Sequence, residues 1–212
     1  MSTNPTGLLE LSPVLPVVVI EDAEHAVPVA EALLAGGIRA IELTLRTPVA
    51  PAAIERVAKE VPGIVVGAGT VTGERDARLA AEAGAGFLVT PGSTDALLDA
   101  VAGTGLPFLP GVATVSEAML LAERGLTELK FFPAEASGGV GFLRSIAGPL
   151  PDLRFCPTGG VTADTAADYL ALPNVGCVGG TWLTPKAALA AGDFARVEAL
   201  ARDALRGAVA AG

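Results

Sequence analysis

In the segment ELKFFPAE a lysine, Lys130, stands inside an apolar run. Leu129, Phe131 and Phe132 surround it and Pro133 ends the run, which is the pattern of a short buried strand. A buried ammonium group is costly unless it is paired or loses its proton. Burial therefore favours the free amine at Lys130, and a free amine attacks carbonyl carbon.

A carboxylate and an arginine share one face of another strand-like run, AIELTL. Side chains alternate along a strand, so Glu42, Thr44 and Arg46 point the same way along this run and its exit. An iminium formed on a lysine is an electron sink that allows the adjacent carbon–carbon bond to break, and Glu42 suits the proton transfers that this requires. Arg46 supplies a fixed cation for a substrate carboxylate.

Paired glycines end two later strand-like runs, in PTGG (157 to 160) and GGTW (179 to 182). Glycine lets the backbone approach an anion, and the helix N-terminus that follows adds a favourable dipole. In barrels of alternating strands and helices, the last two strand ends commonly hold a phosphate. The residues alone therefore predict a Schiff-base lyase that acts on a phosphorylated keto acid.

Structural interpretations of the same residues stay open at this point. Lys130 and Glu42 are also what a buried ion pair within the core requires. Thr70, at the end of VVGAGT, suits a helix N-cap as well as a neutral donor to a ligand. Arg46 suits a solvated loop, and both glycine pairs suit ordinary turns.

The sequence pattern predicts the strands and helices that would position these residues. Short apolar runs alternate with longer alanine-rich amphipathic runs, several of which end in glycine. The predicted strands are VLPVVVI (14 to 20), AIELTL (40 to 45), IVVGAG (64 to 69), FLVT (87 to 90), FLPGV (108 to 112), LKFF (129 to 132), RFCPTG (154 to 159) and VGCVGG (175 to 180). Eight units without a dinucleotide-binding fingerprint predict an α/β fold of the closed (β/α)8 type, a TIM barrel, rather than an open doubly wound sheet. No linker divides the sequence, so residues 1–212 are predicted to form one domain.

Composition excludes several functional classes. With 51% hydrophobic and 17% charged residues, the 212-residue chain buries a sizeable core and leaves little sequence for a disordered arm. A net charge of -9 argues against a nucleic-acid partner. The amino-terminal MSTNPTGLLELSP has no basic residue ahead of an apolar stretch, and the longest aliphatic run is too short to cross a bilayer. We therefore expect a cytoplasmic protein without a membrane partner.

The sequence has few residues that would suit a metal-dependent, thiol-based or histidine-based mechanism. Cys156 and Cys177 lack CxxC spacing and are predicted to be buried thiols. His25 is the one histidine and opens a predicted helix, so a Ser-His or Cys-His mechanism has no basis. A metal-dependent aldolase needs clustered acidic or histidine ligands at the strand ends, where only Glu42 is placed inward. We therefore predict neither a metal nor another cofactor.

The sequence resembles the 2-keto-3-deoxy-6-phosphogluconate (KDPG) aldolases, also called 4-hydroxy-2-oxoglutarate (KHG) aldolases, over nearly its whole length. IELTLRT and LKFFPAE carry the resemblance most specifically, and VGAGTV, PGVATVSEAM, RFCPTGGV and GGTWLTP extend it. It implies a trimeric class I aldolase of the barrel fold, a carbon–carbon lyase of carbohydrate metabolism in the Entner–Doudoroff pathway. Such an enzyme cleaves KDPG to pyruvate and glyceraldehyde 3-phosphate, and KHG to pyruvate and glyoxylate.

The resemblance also implies a role for each motif residue. Lys130 forms the Schiff base and Glu42 is the general acid/base. The residues implied on the pyruvyl side are Arg46 and Thr70 at the carboxylate, with Pro91 and Phe132 lining the pocket. Those implied on the phosphate side are Thr158, Gly159, Gly160, Gly179, Gly180 and Thr181.

Two details bear on specificity. Thr181 stands where many relatives carry serine, which keeps a hydroxyl for the phosphate. Thr158, in place of an aliphatic residue, favours the gluconate-type over the related 6-phosphogalactonate-type aldolase. A non-catalytic phosphosugar-binding barrel is the alternative from another class, and it has no use for Lys130 paired with Glu42.

Overall fold

The computed structural model describes residues 7–211, with side chains to residue 208. The ends of the predicted 1–212 domain and the first part of the amino-terminal segment lie outside the described residues. Within them, strands and helices alternate from Val14 onwards. A short 3-10 helix, Leu8–Glu10, precedes the first strand.

Nine strands correspond to the eight predicted ones, and the described part of the chain has nine α-helices; the two types alternate except that β6 directly follows β5 and α9 directly follows α8. The strands are β1 (Val14–Val18), β2 (Ala40–Thr44), β3 (Val65–Gly69), β4 (Phe87–Val89), β5 (Phe108–Leu109), β6 (Gly111–Val112), β7 (Glu128–Phe131), β8 (Arg154–Pro157) and β9 (Val178–Gly180). The helices are α1 (Ala26–Ala35), α2 (Ala50–Glu60), α3 (Glu74–Glu82), α4 (Asp95–Gly103), α5 (Val115–Glu123), α6 (Gly139–Ile146), α7 (Ala166–Leu170), α8 (Lys186–Ala191) and α9 (Phe194–Ala211).

All the strand pairs in the two sheets are parallel. One curled sheet has the order β5-β4-β3-β2-β1-β9, and a second has the order β6-β7-β8. Parallel neighbours joined through helices bring the carboxyl ends of the strands to one side of the molecule. The protein is therefore a single α/β domain in which the predicted strand-end residues gather on one face.

Two predicted strands are less regular than expected. FLPGV divides into β5 and β6 at Pro110, which has no backbone N–H to continue the ladder. VGCVGG forms a ladder only in β9, while Val175 makes an isolated bridge to Phe155 and Gly179 makes one to Thr158. The second segment carries one extra residue between these bridges, as in a β-bulge.

The apolar side chains form two clusters on opposite faces of the strands. The larger cluster lies between strands and helices and includes Ile41, Leu43 and Phe131. The smaller cluster gathers side chains from the other strand face: Leu9, Leu15, Ala40, Phe87, Val89, Leu109, Cys156 and Cys177. Period-two alternation sends neighbouring residues of one strand, such as Ala40 and Ile41, to different clusters. Along β2 and β7, Glu42 and Lys130 alternate with members of the larger cluster, so their side chains lie on the strand face of the smaller cluster.

Local capping fixes where helices begin. Thr94 accepts a hydrogen bond from the Leu97 N–H at the start of α4, and Thr114 forms a capping box with Glu117 at the start of α5. His25 stands at the N-terminal boundary of α1, as the sequence predicted. Among the residues described, none of the helices is both long and apolar enough to cross a membrane.

Candidate active site

Lys130 and Glu42 meet inside the molecule. The Lys130 Nζ atom lies 3.2 Å from Oε1 and 3.5 Å from Oε2 of Glu42. The two residues are 5% and 1% exposed, respectively, so solvent barely screens the contact. This geometry fits an ion pair and also an amine beside a carboxylate that takes or returns its protons.

Aromatic and thiol groups surround the lysine. The Phe132 ring centroid is 5.4 Å from Nζ, within cation–π range. The register pairs Lys130 with Cys156 on β8. Both cysteines are buried free thiols, as predicted. The hydrogen bond with Cys177 lowers the pKa of Cys156, against the opposite effect of burial, while the same contact and burial raise the pKa of Cys177.

Glycine at position 69 makes room for the Glu42 carboxylate. A Cβ atom built on Gly69 would lie 1.9 Å from Glu42 Oε1 and 2.5 Å from its Cδ. Gly69 is the last residue of β3 and pairs with Thr44 of β2. The glycine motif of the third strand therefore sets where the carboxylate lies, a role that the sequence did not reveal.

Arg46 and Thr70 also meet, at the ends of β2 and β3. The Arg46 Nε–H donates to Thr70 Oγ1 over 3.1 Å. Thr70 has φ of 58°, the one positive value for a non-glycine residue in the described chain, and such strain commonly marks a functional position. The N-cap interpretation of Thr70 is wrong, because α3 begins at Glu74 and is preceded by Gly73.

Pro91 lies in a turn that is hydrogen-bonded to β6, the strand that pairs with the Lys130 strand β7. Thr90 Oγ1 accepts from the Gly111 N–H at 3.1 Å, and Ser93 Oγ donates to the Gly111 carbonyl at 2.8 Å. A Cβ on Gly111 would lie 2.4 Å from the Pro91 carbonyl carbon, so the turn packs directly on that glycine. Gly111 is the register partner of Lys130, which places Pro91 one strand away from the lysine.

The two glycine pairs lie side by side at the ends of β8 and β9. Thr158 forms a parallel bridge with Gly179, so the PTGG and GGTW segments are neighbours. Gly159 and Gly160 have φ of 97° and 85°, which side-chain-bearing residues rarely adopt. Thr181 is exposed and lines a cavity of about 670 Å³ together with Val17 and Trp182.

The glycines of these turns also serve packing. A Cβ on Gly180 would overlap the Trp182 ring at 1.6 Å, and one on Gly179 would lie 2.2 Å from Thr158 Oγ1. Thr158 itself is buried, and its hydroxyl donates to the Cys156 carbonyl at 3.3 Å. Side chains introduced at Gly179 or Gly180 would therefore disturb the fold as well as any bound anion.

The structure also shows one pair of polar residues that the sequence did not predict. Tyr169, the one tyrosine of the chain, donates its hydroxyl to Glu135 Oε1 at 2.5 Å. Glu135 belongs to the conspicuous FPAE segment, but nothing in the sequence links it to a tyrosine in α7. Burial, reinforced by the Glu135 hydrogen bond, raises the pKa of the Tyr169 phenol well above its usual value.

The described contacts form three groups along the strand ends. Lys130, Glu42 and Phe132 make one group, Arg46 and Thr70 another, and the paired glycine turns of β8 and β9 a third. Nowhere in the part of the chain that the structure describes do three or more His, Cys, Asp or Glu residues gather as metal ligands.

Known proteins match this chain over almost all of its length. A family model for the KDPG and KHG aldolases matches residues 6–200. The 2-dehydro-3-deoxy-phosphogluconate aldolase of Dickeya dadantii is 53% identical over 208 residues, covering 98% of each chain.

Solved structures agree with this match. The KDPG aldolase of Legionella pneumophila, with pyruvate captured as a covalent carbinolamine intermediate, superposes with a TM-score of 0.90 at 44% identity, covering 93% of this chain and 96% of that one. The aldolase of Zymomonas mobilis with 3-phosphoglycerate superposes with a TM-score of 0.87 at 47% identity, covering 93% and 92%.

Proposed function

Because this chain belongs to the KDPG and KHG aldolase family, we propose that it is a class I aldolase that cleaves KDPG to pyruvate and glyceraldehyde 3-phosphate. This is a carbon–carbon lyase reaction of the Entner–Doudoroff pathway. The observation that carries the proposal is the buried Lys130 amine, 3.2 Å from the Glu42 carboxylate at the strand ends. The captured pyruvate carbinolamine of the Legionella relative supports the same covalent route.

Lys130 and Glu42 together account for the steps. The Lys130 amine attacks the C2 carbonyl of the keto acid and forms a carbinolamine, which loses water to give the iminium. Glu42 gives the proton that leaves with that water, then takes the C4 hydroxyl proton as the C3–C4 bond breaks and the aldehyde departs. The bond electrons pass into the enamine, Glu42 returns the proton to its C3 to give the pyruvyl iminium, and water then releases pyruvate and regenerates the amine.

The other strand-end residues suit the two ends of the substrate. Arg46 and Thr70, already joined by a hydrogen bond, offer donors to the keto-acid carboxylate. Phe132 and the turn containing Pro91 flank the lysine and suit the apolar side of the pyruvyl group. The paired turns of β8 and β9, with Thr181, suit the phosphate.

Reductive trapping tests this proposal directly. Borohydride in the presence of pyruvate reduces the iminium to a stable secondary amine. We expect intact-protein mass spectrometry to show one pyruvate-derived adduct per chain, and peptide mapping to place it on Lys130. The control omits pyruvate. Absence of the adduct in a protein that releases pyruvate from KDPG would reject the Schiff-base mechanism.

The phosphate end gives a prediction that separates the two substrates. Thr181→Val removes a hydroxyl that donates to the phosphate of KDPG, and a hydrogen bond to a charged group contributes about 1.5–3 kcal/mol. We expect kcat/KM for KDPG to fall by roughly 10- to 100-fold. KHG has no phosphate, so its cleavage is expected to stay near that of the unmodified protein. Steady-state kinetics on both substrates measure the difference, and equal losses on both would remove Thr181 from the phosphate site.

The same family supports KHG cleavage to pyruvate and glyoxylate as a second reaction of this site. The gluconate-type assignment is favoured over the galactonate type by the 53% identity to the Dickeya KDPG aldolase. A non-catalytic phosphosugar-binding barrel is disfavoured, since binding alone does not require a buried amine beside a buried carboxylate.

We also propose that the two sheets complete a closed (β/α)8 barrel. The bridges from β8 to Val175 and Gly179 support closure on one side, and the chain passes directly from β5 through Pro110 to β6 on the other. The smaller apolar cluster, which draws side chains from both sheets, supports it as well.

A homotrimer in the cytoplasm is the last part of the proposal. Met119 and Leu120 of α5 are 49% and 60% exposed, which is unusual for large apolar side chains and suits a subunit interface. The trimer and the location otherwise follow from the family resemblance. Free buried thiols are compatible with a reducing compartment.

A further inference from the structure

We propose that Tyr169 is a positioning residue that holds the Glu135 carboxylate in place so that its charge does not oppose a phosphate at the β8 turn. This inference rests on the proposed function, because it concerns the phosphate end of the same substrate. It assigns a role to two residues outside the Lys130 and Glu42 pair.

Glu135 is anchored to the turn that carries the glycine pair. Its backbone N–H donates to the Gly159 carbonyl at 3.1 Å, and the preceding residue donates to the Thr158 carbonyl at 2.8 Å. A Cβ built on Gly160 would lie 2.5 Å from Glu135 Cγ, so the glutamate side chain covers that glycine. An exposed carboxylate therefore stands beside the backbone proposed to receive an anion.

A free carboxylate at this place would oppose phosphate binding. Like charges a few ångströms apart repel, and the repulsion is stronger where protein excludes water. The Glu135 side chain packs on Gly160, so its negative charge lies next to the turn proposed to receive the phosphate. A hydrogen-bond donor that fixes the carboxylate would hold this charge in one place.

Tyr169 supplies that partner. Its side chain is fully buried near the end of α7, and its hydroxyl donates to Glu135 Oε1 at 2.5 Å. A Cβ on Gly139 would lie 3.1 Å from the Tyr169 hydroxyl oxygen and 3.6 Å from Glu135 Oε2, so the pair is closely packed from a third side. Burial and the carboxylate keep the phenol protonated, and it remains a donor across the neutral pH range.

Matched substitutions at Glu135 distinguish the effect of its negative charge from that of its hydrogen bond with Tyr169. Glu135→Asp keeps the charge but is one methylene too short to reach Tyr169, whereas Glu135→Gln keeps the length and an acceptor oxygen without the charge. We expect KM for KDPG to rise roughly five- to tenfold in Glu135→Asp and in Tyr169→Phe. Glu135→Gln is expected to stay near the unmodified protein, and Tyr169→Phe/Glu135→Gln to recover most of the loss.

Two further readouts distinguish charge control from a general structural role. Added salt is expected to reduce the KDPG defect of Tyr169→Phe, because it screens the repulsion. KHG cleavage and borohydride trapping of pyruvate are expected to be unchanged in all four variants. Equal losses on KDPG and KHG, or failure of Glu135→Gln to rescue Tyr169→Phe, would overturn the inference.

Measurements on the unmodified protein distinguish failure of this inference from failure of the proposed function. Failure of that protein to form the pyruvate adduct or to cleave KDPG would reject the function itself. Cleavage of KDPG with unchanged KM in Tyr169→Phe and Glu135→Asp would reject the Tyr169 role alone. If Tyr169→Phe does not fold, the Glu135→Asp and Glu135→Gln pair still decides the outcome, because it leaves the buried ring in place.

Discussion

Lys130→Ala is expected to abolish KDPG cleavage, because it removes the amine that we propose forms the iminium. The loss should be on the order of 10⁶-fold in kcat, as when a covalent nucleophile is removed from a hydrolase. The measurement is pyruvate release from KDPG and from KHG, together with borohydride trapping, which should give no adduct. Turnover near that of the unmodified protein would end the Schiff-base mechanism.

Lys130→Arg is the matched control for this experiment. It keeps a cation next to Glu42 but cannot form the iminium, so it should be as inactive as the alanine variant. Equal inactivity in both variants shows that chemistry, rather than charge, is lost. Activity retained in Lys130→Arg would favour the structural ion-pair interpretation instead.

Stability needs a separate control, since alanine leaves a buried carboxylate without its partner. Removing one member of a buried pair costs about 3–5 kcal/mol when the other stays charged. Glu42 is 1% exposed, so this cost applies here. Lys130→Met/Glu42→Gln removes both charges and should unfold at a higher denaturant concentration than Lys130→Ala. Equilibrium unfolding, followed by circular dichroism, measures the difference.

Glu42→Gln is expected to slow turnover by roughly 10²- to 10⁴-fold, the range typical of lost general acid/base catalysis. The amide keeps the volume and hydrogen-bonding capacity of the side chain but does not transfer a proton. The Lys130 amine is untouched, so pyruvate should still be trapped by borohydride, only more slowly. Single-turnover kinetics with KDPG measure the chemical step. A variant with near-normal turnover would move the proton transfers to an ordered water or to Thr44.

Gly69→Ala tests the same carboxylate without changing its chemistry. The new methyl group would lie 1.9 Å from Glu42 Oε1, so the carboxylate must shift. A misplacement of about 1 Å can cost about 100-fold in rate, and we expect kcat to fall by about that factor. Gly73→Ala is the control, because a Cβ at Gly73 meets nothing within 4 Å and its φ of -171° is ordinary extended backbone. Similar losses in both variants would mean that the effect does not come from Glu42.

Much of the scaffold was predictable because its signals are local. Apolar runs separated by amphipathic helices gave the strand positions, and seven of them coincide with single strands of the structure to within a few residues. The eighth divides at Pro110, a residue whose missing N–H is itself visible in the sequence. The face shared by Glu42 and Thr44 follows from alternation along one strand, and both residues are buried as that pattern requires.

The burial of Lys130 was likewise visible from its neighbours. An ammonium group flanked by Leu129 and Phe131 must be buried if the run is a strand, and burial of an amine calls for a partner or a reaction. The sequence pointed to Glu42 as that partner but left open whether the two residues form a structural ion pair or a catalytic pair. It also left the N-cap interpretation of Thr70 open.

Tertiary structure alone decided the contacts between distant segments. Lys130 and Glu42 are 88 positions apart, and only the curvature that brings β7 opposite β2 makes them neighbours at 3.2 Å. The Arg46–Thr70 bond depends on the register of β2 and β3 and on a strained φ at Thr70, and the Glu135–Tyr169 bond on the packing of α7 against the turn after β7. Periodicity and burial cost are properties of short stretches of chain, and the sequence therefore reports them. The partner of a polar side chain is set by strand register and by the packing of elements far apart in sequence, which no short stretch contains.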